Sequence, residues 1–210
     1  MRFHSNRTTP IIADSDNASI PDSVKILNSG GLVAFPTDTV YGVGVLFTNK
    51  SAVKRLYDAK SRTLNKAIPI LVGNFYDVWS LSKEVPPSAH KLAKSFWPGP
   101  LSLVLRKSDN VPDIVAPGST VALRSPNHNW LLELLNLVGP LAVSSANKSG
   151  ESESTSCAEV QAYFGNNLDL IVSGTTIRPS LPSTVVDCSV DPPKIIREGP
   201  ISSASIKTAM

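Results

Sequence analysis

Between Gly30 and Gly44 the chain reads GGLVAFPTDTVYGVG, and this run limits the fold more than any other stretch. Leu32 to Phe35 is a short apolar segment of the kind buried in a sheet. Pro36 ends it, because proline brings no N–H to a strand ladder. Thr37, Asp38 and Thr39 then set two hydroxyls and a carboxylate at the strand's mouth, ahead of Tyr41 and two more glycines. In open α/β sheets, ligands bind just beyond the carboxyl ends of strands. Two readings follow, a ligand-binding edge or a plain polar turn between two strands.

The rest of the chain supplies alternating strands and helices. Ala52, Val53, Leu56 and Tyr57 fall at helical spacing over Asn49 to Ala59, with Asn49 or Ser51 as cap. Further helices are predicted from Ser23 to Leu27, Phe75 to Leu81, Ser88 to Phe96, Asn129 to Val138 and Cys157 to Phe164, and a last one near Ser202. Strands are predicted at Ile68 to Val72, Leu101 to Leu105, Thr120 to Arg124, Leu141 to Val143, Leu170 to Val172, Thr184 to Asp187 and Lys194 to Arg197. The alternation is irregular and gated by prolines, which points to an α/β (α+β-like) fold, a twisted mixed β-sheet flanked by helices. Residues 1–20 read as a disordered or loosely ordered arm and 21–210 as a single domain.

Several function classes drop out. Cys157 and Cys188 are the only cysteines and belong to no CxxC, while His4, His90 and His128 are scattered. No metal site and no Ser-His-Asp triad is therefore expected. No apolar run reaches the ~18 residues of a membrane span, and the N-terminus lacks a secretory core, so a cytoplasmic location is expected. Net charge is only +3, but Lys50 to Lys66 holds six basic residues against Asp58 alone. An anionic partner, either a phosphate-bearing small molecule or RNA, is the inference; a solvated helix face is the alternative.

One pattern recurs, a strand ending in hydroxyls, an amide or a cation: Thr37/Thr39, Thr120/Arg124, Ser145/Asn147 and Ser183/Thr184. Singly each is ordinary turn chemistry. Gathered in one cleft, hydroxyls and a guanidinium fork suit a small zwitterion such as an amino acid. Lys60, Arg62, Lys66 and Arg197 suit a polyphosphate, although neither GxxxxGK[ST] nor GxGxxG occurs.

GGLVAFPTDTVYGVG, KSR at Lys60 to Arg62, WPGPLSLVL at Trp97 to Leu105, TVALR at Thr120 to Arg124, SAN at Ser145 to Asn147, STVVD at Ser183 to Asp187 and IIREG at Ile195 to Gly199 follow in order. Over about Val24 to Pro200 the sequence resembles the YrdC family of threonylcarbamoyl-AMP synthases, in its short single-domain form. That resemblance implies a fold shared with riboflavin-precursor synthase. It also implies an enzyme, a nucleotidyltransferase, that joins threonine, bicarbonate and ATP with Mg2+, releasing pyrophosphate. The product serves the threonylcarbamoyladenosine modification of ANN-decoding tRNAs. A tRNA-modifying transferase complex is the implied partner, with tRNA or double-stranded RNA as a possible direct ligand.

Carried over by position, Thr39, Arg124, Ser145 and Ser183 would hold threonine, and Lys60, Arg62, Lys66, Thr120, Asn147, Thr155 and Arg197 would surround ATP. Lys60 and Arg62 would be the catalytic pair, and Lys148 to Ser156 a mobile lid. Thr63 departs from the family's usual proline, and Leu71 from a histidine used by some relatives. Asp38, often glutamate in relatives, either orients the site, holds magnesium through water or is structural. An RNA-binding module and a carbamoyl-transfer domain of the hydrogenase-maturation type stand as the alternatives.

Overall fold

Strand residues alternate between two faces, and that alternation sorts the core into two layers. The computed structural model describes residues 8–148, 150–176 and 181–210. Its elements run β1 (Ile11–Ala13), α1 (Ser19–Asn28), β2 (Val33–Phe35), β3 (Gly42–Leu46), α2 (Lys50–Ala59), β4 (Ile70–Leu71), α3 (Tyr76–Leu81), α4 (Pro87–Phe96) and β5 (Leu101–Arg106). They continue β6 (Thr120–Arg124), α5 (Asn129–Val138), β7 (Leu141–Ser145), α6 (Cys157–Phe164), β8 (Leu170–Ser173), β9 (Thr184–Asp187), β10 (Lys194–Arg197) and α7 (Ser203–Ala209). These strands form one sheet in the order β1-β8-β2-β3-β7-β4-β6-β5-β9-β10. β1–β8, β2–β8, β4–β6 and β5–β9 pair in parallel and the other neighbours antiparallel, so the sheet is mixed.

Val33, Phe35, Leu141, Val143, Leu170 and Val172 face Leu27 of α1 and Trp130, Leu131 and Leu134 of α5. Ala34, Ala142 and Ile171, from the same strands, face a larger layer that includes Val53 and Leu56 of α2, Leu92 of α4 and Val160 of α6. The α2 cap is Asn49, whose side chain accepts from the Ala52 N–H at 3.0 Å. No described helix is long and apolar enough to cross a membrane.

Three elements differ from the sequence reading. β3 was hidden because Gly42 and Gly44 carry no side chain. A Cβ on Gly44 would come within 2.8 Å of the Phe35 ring, and one on Gly42 within 2.7 Å of Val143. Phe35 and Val143 fill the space β3 side chains would take. β4 is only two residues long, its predicted start lost around Pro69, although Ile68 still donates its N–H to the Val115 carbonyl at 2.8 Å. The arm predicted over residues 1–20 is ordered from residue 8, while residues 1–7 lie outside the described residues. β1 pairs with Ile171–Ser173, the Thr9 hydroxyl donates to the Gly165 carbonyl at 2.7 Å, and α1 begins at Ser19. The apolar run Ile11–Ala13 is only three residues long, too short to read as a strand on its own, and backbone bonds to β8 hold it in place.

Candidate active site

The β2–β3 connection is both things the sequence allowed: a polar turn between two strands, and the wall of a cleft. The Thr37 hydroxyl donates to the Val40 carbonyl at 2.7 Å and accepts from the Thr39 N–H at 3.1 Å, which folds the turn on itself. Tyr41 fixes its exit, donating its hydroxyl to the Gly174 carbonyl at 2.7 Å. The turn closes over a cavity of about 200 Å³ at the ends of the central strands. Thr39, Arg62, Arg124, Ser145, Ser183 and Arg197 all line it, so six of the residues singled out in the sequence converge on one place.

Arg124 ends β6 beside Leu71 of β4, which forms part of the same wall. Arg124 is 7% exposed. Nε donates to the Gly99 carbonyl at 3.1 Å, Nη1 to the Thr39 hydroxyl at 3.1 Å and Nη2 to Asp38 Oδ1 at 2.5 Å. A guanidinium has five N–H groups, so two remain for a ligand. Burial pushes the Arg124 pKa down and the charge of Asp38 pulls it back up. Asp38 is buried too, and its Oδ2 has no hydrogen-bond partner. Asp38 therefore orients Arg124.

On the far wall, Ser183 exchanges a hydroxyl hydrogen bond with Ser102 at 2.8 Å, and Arg197 Nη2 donates to the Ser183 carbonyl at 2.8 Å. Gly199 lets the chain pass close by: a Cβ there would lie 2.3 Å from the Pro182 carbonyl oxygen. Arg62 sits in a turn opened by Ser61, whose φ is 50°, and its Nη2 donates to the Ala67 carbonyl at 2.8 Å. The Lys66 N–H to Thr63 carbonyl bond, 3.2 Å, keeps that turn closed with threonine in place of proline.

Lys60 stands behind the cleft rather than in it. Only 1% exposed, it reaches away from its own helix to donate to the carbonyls of Ser145 and Asn147, the latter at 2.5 Å. Helix-dipole compensation is thus not its role. Burial, with the neighbouring Arg62 charge adding to it, lowers its pKa to about 8. Asn147, also buried, accepts from the Ser145 hydroxyl at 2.5 Å and donates to the Glu151 carbonyl at 2.6 Å. The pair shapes the loop that presents Ser145.

Three residues fall elsewhere. Thr120 begins β6, and four residues of strand put it roughly 13 Å from Arg124; it borders a separate depression with Lys83, Arg106 and Lys107. Thr155 borders a neighbouring depression with Tyr41 and Cys157. Lys66 is exposed and does not line the cleft. The basic run over 50–66 does not form one face either: Lys54 pairs with Asp58 at 3.0 Å, Arg55 with Asp169 at 2.9 Å, and Lys60 is buried. Ser102 and Glu153 line the cleft without having been foreseen. The alternation of LSLVL hid Ser102 as an ordinary inward strand residue, and Glu153 lay in a serine-rich loop without periodicity. Ser149 of that loop lies outside the described residues.

Fold and cleft define a mixed α/β protein with an arginine-lined, amino-acid-sized site at its strand ends. The chain belongs to the Sua5/YciO/YrdC family, whose model, described as "Telomere recombination", matches residues 25–199. It is 42% identical to the threonylcarbamoyl-AMP synthase of Pyrococcus abyssi over 82% of this chain and 52% of that protein. It is 36% identical to the putative threonylcarbamoyl-AMP synthase of Mycobacterium tuberculosis, over 92% of this chain and 91% of that one. The crystal structure of P. abyssi Sua5 complexed with L-threonine superimposes with a TM-score of 0.91 at 36% identity, over 96% of this chain and 60% of that one. The chain thus spans about half the length of the P. abyssi protein.

Proposed function

We propose that this chain is an L-threonylcarbamoyladenylate synthase, a nucleotidyltransferase that converts L-threonine, bicarbonate and ATP into threonylcarbamoyl-AMP and pyrophosphate. The observation that carries this reading is the half-committed Arg124 fork. It offers two N–H groups to a carboxylate inside an otherwise hydroxyl-lined cavity, with Arg62 and Arg197 on the same cavity for phosphates. The P. abyssi structure with L-threonine supports an amino acid there.

Threonine's carboxylate takes the free edge of Arg124, and the hydroxyls of Thr39, Ser145 and Ser183 align the rest of it. Its amine, once deprotonated, attacks the carbon of bicarbonate, and water leaves to give a carbamate. A carbamate oxygen attacks the α-phosphorus as pyrophosphate leaves, and no protein nucleophile is consumed. The protein's contribution is positioning and charge neutralisation by Arg62, Arg197 and Lys60. No cluster of three or more His, Cys, Asp or Glu among the described residues could hold a metal. In this reading magnesium is carried on the phosphates of ATP and adds to the charge neutralisation there. The adenylate would pass to a transferase that modifies tRNA, which makes that complex the expected partner.

The test is pyrophosphate release with magnesium, ATP and bicarbonate, threonine present or omitted, and serine as control. Release that needs both threonine and bicarbonate is the expected result. Nucleotide turnover indifferent to threonine would overturn the assignment.

A further inference from the structure

Glu153 is the one carboxylate among the described residues lining a cleft that also holds Arg62, Arg124 and Arg197. An acid is out of place in a site meant to attract phosphate, unless it has a task there. The backbone on either side of it is held by neighbouring residues. Ser154 is fully buried, accepts the Tyr41 N–H at 2.9 Å on its carbonyl, and donates its hydroxyl to the Ala146 carbonyl. On the other side, the Glu151 carbonyl is held by Asn147 Nδ2 at 2.6 Å. The segment expected to move as a lid is therefore tied to the cleft wall on both sides of Glu153.

The charges around it divide unequally. Arg124 is already neutralised by Asp38. Arg62 and Arg197 have no carboxylate within ion-pair distance among the described residues, and neither does Glu153 have a cation. Lys60 and Arg197 nevertheless feel its charge, which favours their protonated forms against burial. Among the arginines of the cleft, Arg197 is therefore the one on which Glu153 bears.

We infer that Glu153 is an internal counter-anion: its carboxylate competes with phosphate oxygens for the arginines of the cleft, Arg197 first among them, and so limits how tightly the site holds nucleotide and pyrophosphate. Two unopposed arginines beside the paired Arg124 would retain any polyanion, the departing product included. One acid in their midst lowers that affinity and speeds release. That the natural anion is ATP rests on the synthase reading; the competition of charges does not.

The experiment compares wild type with Glu153→Gln, which keeps shape and removes charge. Dissociation constants for inorganic pyrophosphate, for ATP with magnesium and for threonine are measured by calorimetry at low and high salt. Pyrophosphate and ATP should each bind about fivefold tighter to the variant at low salt, with the gain shrinking at high salt as screening takes over. Threonine, uncharged overall, should bind alike. Unchanged pyrophosphate binding would overturn the inference. So would weaker ATP–magnesium binding, which would make Glu153 a metal ligand, or weaker threonine binding, which would make it a partner for the ammonium. If wild type binds no ATP while pyrophosphate still tightens in the variant, the synthase reading falls and the counter-anion stands.

Discussion

Replacing Asp38 with alanine should unsettle the whole molecule. Asp38 and Arg124 are 4% and 7% exposed, and their 2.5 Å contact is the only ion pair among the described residues with both partners buried. Removing one member of such a pair typically costs about 3–5 kcal/mol, because the other is left charged and uncompensated. Arg124 would keep its bonds to Gly99 and Thr39 and its edge on the cleft, which argues for the low end, about 3 kcal/mol. For a chain of this size each kcal/mol moves the melting point by about 2–4 °C, so a fall of about 6–12 °C is expected by calorimetry. Arg124→Ala should be comparably costly, since Asp38 would then have no partner on either oxygen. It should also abolish threonine binding and leave ATP binding intact. The double variant has no stranded charge and should be more stable than the sum of the two losses allows. An Asp38→Ala protein within about 1 kcal/mol of wild type, or strictly additive losses, would refute this account of the pair.

Lys60 makes a pH prediction. With a pKa near 8 when folded and 10.5 when unfolded, it binds fewer protons in the native state between those values. Its contribution to stability therefore rises with pH from about 8 to 10.5, so denaturation curves of wild type should gain on Lys60→Met across that window. Thr120→Val should leave threonine and nucleotide affinities within about twofold of wild type by calorimetry, because Thr120 lies at the other end of β6. Gly44→Ala should cost about 1–3 kcal/mol in urea denaturation, since its Cβ would press on the Phe35 ring.

Where hydrophobic period and punctuation agreed, the sequence was readable to the residue. α5 and α6 begin and end as predicted, with Gly139 and Gly165 closing them, and β6, β9 and β10 match their predicted limits. It failed where a partner across space, and not the local run, made the element. β3 depends on Phe35 and Val143 to fill the place of its missing side chains, and β1 depends on the backbone of β8. The site followed the same rule. Residues at strand ends, Thr39, Arg124 and Ser183, could be assembled from their motifs because strand ends of one sheet edge must meet. The seat of Lys60 behind the loop, the grip of Asp38 on Arg124 and the separation of Thr120 from the cleft are long-range facts with no local signature. Motif order carried the resemblance; it could not tell which end of β6 faces the ligand.

The cleft draws on residues from Thr37 to Arg197, so strands from most of the width of the sheet must be in register before it exists. β9 is held there by its pairing with β5, and the β2–β3 turn by the pairing of β3 with β7. A fragment lacking any of these strands lacks part of the cleft wall. Occupancy therefore reports completed folding, and a ligand that binds the native state alone deepens the stability of the entire chain with the logarithm of its concentration over Kd. In a cell, the supply of substrate would count among the things that keep this protein folded.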